Sequence, residues 1–249
     1  MINFDILLFL TLFVVCILVL SLLKNNSKED NLRDIPAFYR LKGAIELSVE
    51  DGSRIHVAIG RSGITSPQGA AAMIGLSMLK RVGNIASESD EPPIATMGDG
   101  TIMVLAQDTI RNNYADLGLS SSYSNDLGRM AGITPFSYAA GTMSLIFDED
   151  VSTNLLAGSF GPESALITSA GERSQTLTIA GTDNIPGQAV LFATAHEPLI
   201  GEELYAGGAY LGAGPVHVAS LHAQDILRWI IVGLLVVGAV SGIISGLTS

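Results

Sequence analysis

The chain has 249 residues, 48% of them hydrophobic, and sets 24 acidic against 13 basic side chains for a formal net charge of −11. A mean hydropathy of +0.42 is too apolar for an ordinary soluble domain and too polar for a bundle of spans, so the composition fits one water-facing domain with a little membrane attached. So acidic a surface repels phosphate backbones and argues against nucleic acid as a partner.

Residues 6–23 form an uncharged run broken only by Thr11, Cys16 and Ser21. At about 1.5 Å per residue it covers roughly 27 Å, close to the hydrocarbon thickness of a bilayer. Asp5 stands where a signal peptide carries basic residues, and no small-x-small site follows, so an uncleaved anchor is expected. Cys16 is the single cysteine, which rules out an intrachain disulfide and a cysteine-based zinc site. A second uncharged run spans residues 229–249, with Arg228 and Trp229 at its start as an interfacial anchor. In it Gly238, Gly242 and Gly246 recur every four residues, and Ser241 and Ser245 make a second small row. On a helix this is a smooth face where another backbone can approach.

Lys24, Lys28, Arg33, Arg40 and Lys42 follow the first run, Arg228 precedes the second, and no base lies on the far side of either. The expected topology is two spans in the cell membrane, the domain cytoplasmic and both termini outside. The expected boundaries are 1–24 for the first span, 25–42 for a linker, 43–215 for one domain, and 216–249 for a final helix that includes the second span.

Within the domain, residues 25–34 are polar and read as linker. Ile45, Leu47 and Val49, then Ile55, Val57 and Ile59, alternate with polar residues on either side of Asp51-Gly52, which predicts a hairpin. Ser66-Pro67 reads as the start of a helix that runs to about Val82. A short strand over 94–97 leads through Gly98-Asp99-Gly100 into a helix over 101–115. Strands are expected within 137–147, 155–160, 177–180 and 189–194, and helices opening at Pro162 and Pro198. Residues 93–110 and 186–204 share a strand, turn and helix plan, which suggests an internal duplication. From Val216 no strong breaker precedes Gly233. Strands alternating with helices make the class α/β, with a mixed or mostly parallel sheet and flanking helices.

Three constellations can carry chemistry. Gly60-Arg61-Ser62-Gly63 before a helix reads as an anion cradle or as a tight turn and a capped helix. Asp99 ends a strand, where it can face a ligand crevice or simply cap the next helix. His196-Glu197, with Glu203 one helical turn further on, reads as a divalent-metal site or as acids complementing a helix dipole. Ser62, Asp99 and His196 can form a hydrolase triad only by converging in space, because no GxSxG elbow is present. No motif names a cofactor.

Ala95-Thr96-Met97-Gly98-Asp99-Gly100-Thr101 and His196-Glu197-Pro198-Leu199-Ile200-Gly201-Glu202-Glu203-Leu204 resemble an uncharacterised family of prokaryotic membrane proteins known only by a domain of unknown function. That resemblance implies an α/β domain joined to membrane helices and no particular activity. Two functions are expected. One is a non-enzymatic scaffold that partners with itself, the bilayer and other membrane proteins through the glycine stripe. The other is a membrane-tethered enzyme or sensor that binds an anionic small molecule at the Ser62 and Asp99 loops.

Overall fold

A computed structural model describes residues 11, 13–15, 19, 32–87, 89, 91–212 and 214–248. Most of the first apolar run and residues 25–31 of the expected linker therefore lie outside the described residues, whereas residues 36–42 of that linker are helical, so the folded unit begins before the expected boundary at 43. Two units are compact in themselves, one of residues 1–32 with 212–249 and one of residues 33–211.

The second unit is a single parallel sheet of six strands. These are β1 (Arg54–Gly60), β2 (Ile94–Met97), β3 (Gly128–Met130), β4 (Val151–Ser159), β5 (Leu177–Thr182) and β6 (Glu197–Leu199), in the order β3-β2-β1-β4-β5-β6. The helices are α1 (Pro36–Asp51), α2 (Gly69–Ala86), α3 (Gly100–Asp116), α4 (Pro135–Asp148), α5 (Ser164–Arg173), α6 (Ile185–Thr194) and α7 (Glu203–Tyr210). This is the strand order of the doubly wound dinucleotide folds, in which the chain runs outward from β1 in one half and from β4 in the other. The sheet is all parallel, so the antiparallel share allowed by the sequence reading drops out.

Helices cover both faces, which explains why β1 and β4 read as near-continuous buried runs. On one face Tyr138, Ala139 and Ile146 of α4, Ile167 and Ala170 of α5, and Leu191 of α6 pack on the sheet residues Ala58, Leu156 and Ala180. On the other, α2 lies over β1 and β4, flanked by α1, α3 and α7. α1 is fixed at the β6 side by Arg40–Glu197 (2.9 Å), by Arg33–Glu203 (2.8 Å) and by Phe38 stacked on Tyr210 at 4.8 Å.

Several predicted elements are corrected. The expected first strand of the hairpin is the helix α1. Its buried positions, Ala37, Phe38, Leu41, Ile45 and Ser48, follow a helical spacing, whereas Leu47 is exposed. Pro36 opens it, and Gly52, at φ 66°, closes it in the left-handed conformation, so Asp51-Gly52 is a helix stop rather than a hairpin turn. The expected strand within 137–147 is α4, nucleated by a reciprocal capping box between Thr134 and Ser137 with Pro135 behind it. The apolar run 189–194 is the end of α6, whose N-terminus Asn184 caps. Residues 186–204 therefore run helix then strand, which removes the suggested duplication. Pro198 lies in β6, where an edge strand tolerates its missing N–H, and the next helix starts only at Glu203. Ser66 does not cap α2. Its hydroxyl donates to Gly63 O at 2.7 Å, and the helix begins at Gly69.

The other unit contains α8 (Pro215–Thr248), 34 residues without a break. Its stretch Val216–Val240 is the one span among the described residues long and apolar enough to cross a membrane. Trp229, Leu234, Leu235 and Val237 on it are exposed.

The sheet is tightest where its order reverses. A Cβ on Gly158 of β4 would sit 1.8 Å from Ile59 O of β1, and one on Gly75 of α2 would sit 2.2 Å from Ala157 O. Backbone, not a yielding side chain, is the obstacle in both places. Gly158→Ala should therefore force β1 and β4 apart and lower stability by about 1–3 kcal/mol. A thermal melt of the detergent-extracted protein checks it, with Gly43→Ala, inside α1 and with open space around it, as the comparison expected to hold stability or raise it by about 0.5–1 kcal/mol.

Candidate functional site at the carboxyl edge of the sheet

Six parallel strands place all their carboxyl ends along one edge, and the order reverses between β1 and β4. In open α/β sheets ligands bind in the crevice at this reversal. Here the pairing register of β1 shifts on both of its flanks between Ala58 and Gly60. Gly60, at φ 83°, then turns the chain out of the sheet. The loops are tied together by backbone. Gly98 N–H donates to Gly60 O at 2.9 Å, and Arg61 N–H donates to Ser159 O at 3.4 Å. Ser62 Oγ donates to Gln68 O at 3.2 Å. Gly63 lies beside Asp99, whose Oδ2 would be 3.0 Å from a Cβ there. The structure thus brings Gly60, Arg61, Ser62, Gly63 and Asp99 to one place.

What those groups do there is largely internal. Asp99 Oδ1 accepts from the N–H groups of Thr101 and Ile102 at 2.9 and 3.0 Å, so Asp99 caps α3. Thr134 and Asn184 do the same for α4 and α6. Arg61 reaches across the reversal point to Glu163, at the start of α5. Its Nε and Nη2 both lie 3.3 Å from Glu163 Oε1, and Gly161 N–H donates to the same oxygen at 3.1 Å. The Glu163 side chain is only 5% exposed, against 29% for Arg61.

His196, Glu197 and Glu203 are not brought together. His196 Nδ1 accepts from the N–H of Thr178, at the amino end of β5, at 3.1 Å. Glu197 pairs with Arg40, and Glu203 with Arg33 and with the N–H of Ile200. Among the described residues no group of three or more His, Cys, Asp or Glu side chains is placed to hold a metal ion. The triad of Ser62, Asp99 and His196 fails on the same ground: the first two lie at the carboxyl edge of the sheet and His196 at the amino edge. That amino edge carries a shallow cavity of about 300 Å³ beside His196, Glu172 and Thr168, and another of about 340 Å³ beside Arg54, Glu91 and Glu149.

Behind the crevice runs a buried polar line. His56 of β1 and Asn154 of β4 are register partners, and Asn154 Oδ1 lies 2.7 Å from His56 Nδ1. An amide oxygen only accepts, so Nδ1 carries the proton, and Nε2 then accepts from the Thr96 hydroxyl at 2.8 Å. Tyr138 of α4 lies 3.2 Å from the Thr96 hydroxyl and accepts the N–H of Gly60 at 3.2 Å. The line therefore runs from the middle of the sheet to the first residue of the crevice. Burial holds the His56 pKa down at about 4, opposed by the Asn154 hydrogen bond, and pushes Tyr138 up to about 12. Both are neutral near pH 7.

A family model described as a domain of unknown function (DUF6754) matches residues 2–249, nearly the whole chain. The chain belongs to that family. No curated protein and no solved structure matches it. Sequence reasoning missed Glu163, His56, Asn154 and Tyr138. Glu163 had one legible cue: Gly161-Pro162-Glu163 follows an apolar run directly, as crevice residues do. His56 and Asn154 break apolar runs, but only a strand covered on both faces turns such a residue into a buried one.

The His56 pKa sets a pH dependence with a definite sign. The folded value lies below the unfolded one, near 6.5, so the neutral histidine's contribution is fully present above that pH. It is lost as pH falls toward about 4, by about 3 kcal/mol in all. His56→Gln removes the titration. The stability gap between parent and variant, read from melts at pH 7 and pH 4, should shrink by about that amount; a gap independent of pH would mean that His56 does not titrate as assigned.

Proposed function

We propose that the chain is a prokaryotic membrane protein of structural rather than catalytic role, whose copies assemble with one another or within a larger membrane complex through the C-terminal span. The observation that carries this reading is the continuity of α8. It is helical through Gly238, Gly242 and Gly246, so residues four apart fall on one face. Inside lipid, helices associate by close packing, and a small-residue face is where backbones approach. A 34-residue helix is roughly 50 Å long, well beyond the hydrocarbon thickness, so its first turns, with His217, His222 and Asp225, reach past the bilayer. The reading includes a first span over residues 6–23. It places the domain in the cytoplasm and both termini outside, on the strength of Lys24, Lys28, Arg33, Arg40, Lys42 and Arg228. Internally capped helices at the carboxyl edge agree with a domain built for contact rather than turnover.

Gly242→Leu tests it. Leucine would hold the backbones apart and forfeit on the order of ten contacts of about 0.1–0.2 kcal/mol each, roughly 1–2 kcal/mol per interface. Blue-native electrophoresis after mild extraction should show the variant shifted toward monomer, still membrane-inserted, with Leu235→Ile much closer to the parent. A variant that assembles like the parent puts the stripe against lipid and sinks the reading.

A second reading is favoured by the strand order. It is a membrane-tethered enzyme or sensor that binds an anionic small molecule at the reversal point, with Gly60, Arg61, Ser62, Gly63 and Asp99 around it. A thermal-shift screen with nucleotides and phosphorylated metabolites checks it. A stabilisation of a few degrees by one class, abolished by Arg61→Gln, is the expected result, and no shift with any of them removes the support.

A further inference from the structure

We propose that the anion site at the reversal point is occupied by the protein's own Glu163, so that an external anion binds only by displacing this carboxylate from Arg61. The inference rests on the second reading above and deepens it.

Two donors and a charge converge on one oxygen. Arg61 Nε and the N–H of Gly161 donate to Glu163 Oε1 at 3.3 and 3.1 Å, and Arg61 Nη2 stands 3.3 Å from the same oxygen as its ion-pair partner. They come from two loops, after β1 and after β4, on the two sides of the crevice. That is the donor set that a phosphate or carboxylate oxygen would use, and a carboxylate already fills it. The seat is built for closeness. A Cβ on Gly161 would lie 2.5 Å from Glu163 Oε2, so glycine there lets the carboxylate fold back. A Cβ on Gly98 would lie 2.7 Å from Arg61 Cγ, so glycine there lets the arginine stem lie flat across the β2 loop. Glu163 is buried and Arg61 only partly so. The pair is thus closed from the Glu163 side and open to solvent from the Arg61 side.

The occupant also sets the sign of the site. With Glu163 in place the charge of Arg61 is matched, and Asp99 adds a negative charge next to Gly63. An incoming anion meets a neutral-to-negative crevice unless Glu163 leaves. Glu163 is the N-cap residue of α5 and its side chain caps no N–H of that helix, so its release leaves the α5 N-terminus as it is.

The test is calorimetric titration of the full-length, detergent-extracted protein with inorganic pyrophosphate, comparing the parent, Glu163→Gln and the double variant Glu163→Gln with Arg61→Gln. Glu163→Ala repeats the test if the glutamine variant does not fold, and melts confirm that each protein is folded. Glu163→Gln should bind at least about tenfold tighter than the parent, and loss of Arg61 should return it to the parent level. No gain in a parent that already binds tightly would leave the second reading standing and overturn the occupancy by Glu163. A gain that survives loss of Arg61 would overturn the site assignment. No binding by parent or variant would overturn both the inference and the second reading.

Discussion

Helices cover both faces of the sheet, so a polar side chain between β1 and β4 is cut off from water and depends on partners inside the protein; Asn154 Nδ2 is buried there without one. His56, fully buried, meets this constraint by staying neutral and using both ring nitrogens, one toward Asn154 on β4 and one toward Thr96 on β2. A charged histidine there would be a buried cation with no counter-charge among its hydrogen-bond partners, and desolvation alone outweighs what two neutral hydrogen bonds return. The same line fixes register. His56 and Asn154 are directly opposed in the parallel ladder, and a slip of one residue would send one of them to the other face with no partner. Tyr138 then carries the constraint outward, because its hydroxyl holds the N–H of Gly60 where β1 leaves the sheet.

The reversal of strand order between β1 and β4 decides where the remaining helices must go. Connections running outward in the two halves leave part of each face open: α2, over β1 and β4, and α3 lie on one face, α5 and α6 on the other. The crossover helix α4 covers the β1 side of the second face, through Tyr138 and Ala139. The β4 to β6 part of the first face falls to α1, which precedes the sheet in sequence, together with α7. That is why α1 is anchored by Arg40–Glu197 and Arg33–Glu203 at the β6 edge rather than near β1, which follows it directly in the chain.

The α/β class, the strand over 94–97, the helix after Asp99 and the membrane-length apolar helix were legible because each carries a local signal: a buried run, a cap, an uncharged stretch. The misread elements share one cause. Residues 45–49, 137–147 and 189–194 are short and apolar or alternating, and over so few residues periods of 2 and 3.6 are hard to tell apart. What decided them lay in their caps: Pro36 with Gly52, Thr134 with Ser137, and Asn184. The first site was half legible. Gly60, Arg61 and Asp99 announce themselves as loop residues after strands, but Glu163 lies 102 positions from Arg61, and only the sheet order makes them neighbours. His196, Glu197 and Glu203 looked like a cluster because they are close in sequence. Three separate partners, Thr178, Arg40 and Arg33, hold them instead, because β6 and the turn after it point them in different directions.

The carboxyl edge therefore combines the geometry of a binding fold with a chemistry turned inward. A strand order that reverses at β1 and β4 opens a crevice, and helix N-termini supply N–H groups around it. In this chain Asp99, Thr134 and Asn184 take up those N–H groups, and Glu163 takes up the one arginine set into the reversal point. An edge satisfied in this way holds its loops firmly and offers little free charge. It differs from a sealed edge in one respect. Three of the four acceptors are fixed in helix caps, where leaving costs about 1 kcal/mol of helix stability, whereas Glu163 is held outside any helix, by the partly exposed Arg61 and by the N–H of Gly161. Of the groups that fill the crevice, Glu163 is thus the one whose departure leaves every cap in place, and it stands on the arginine.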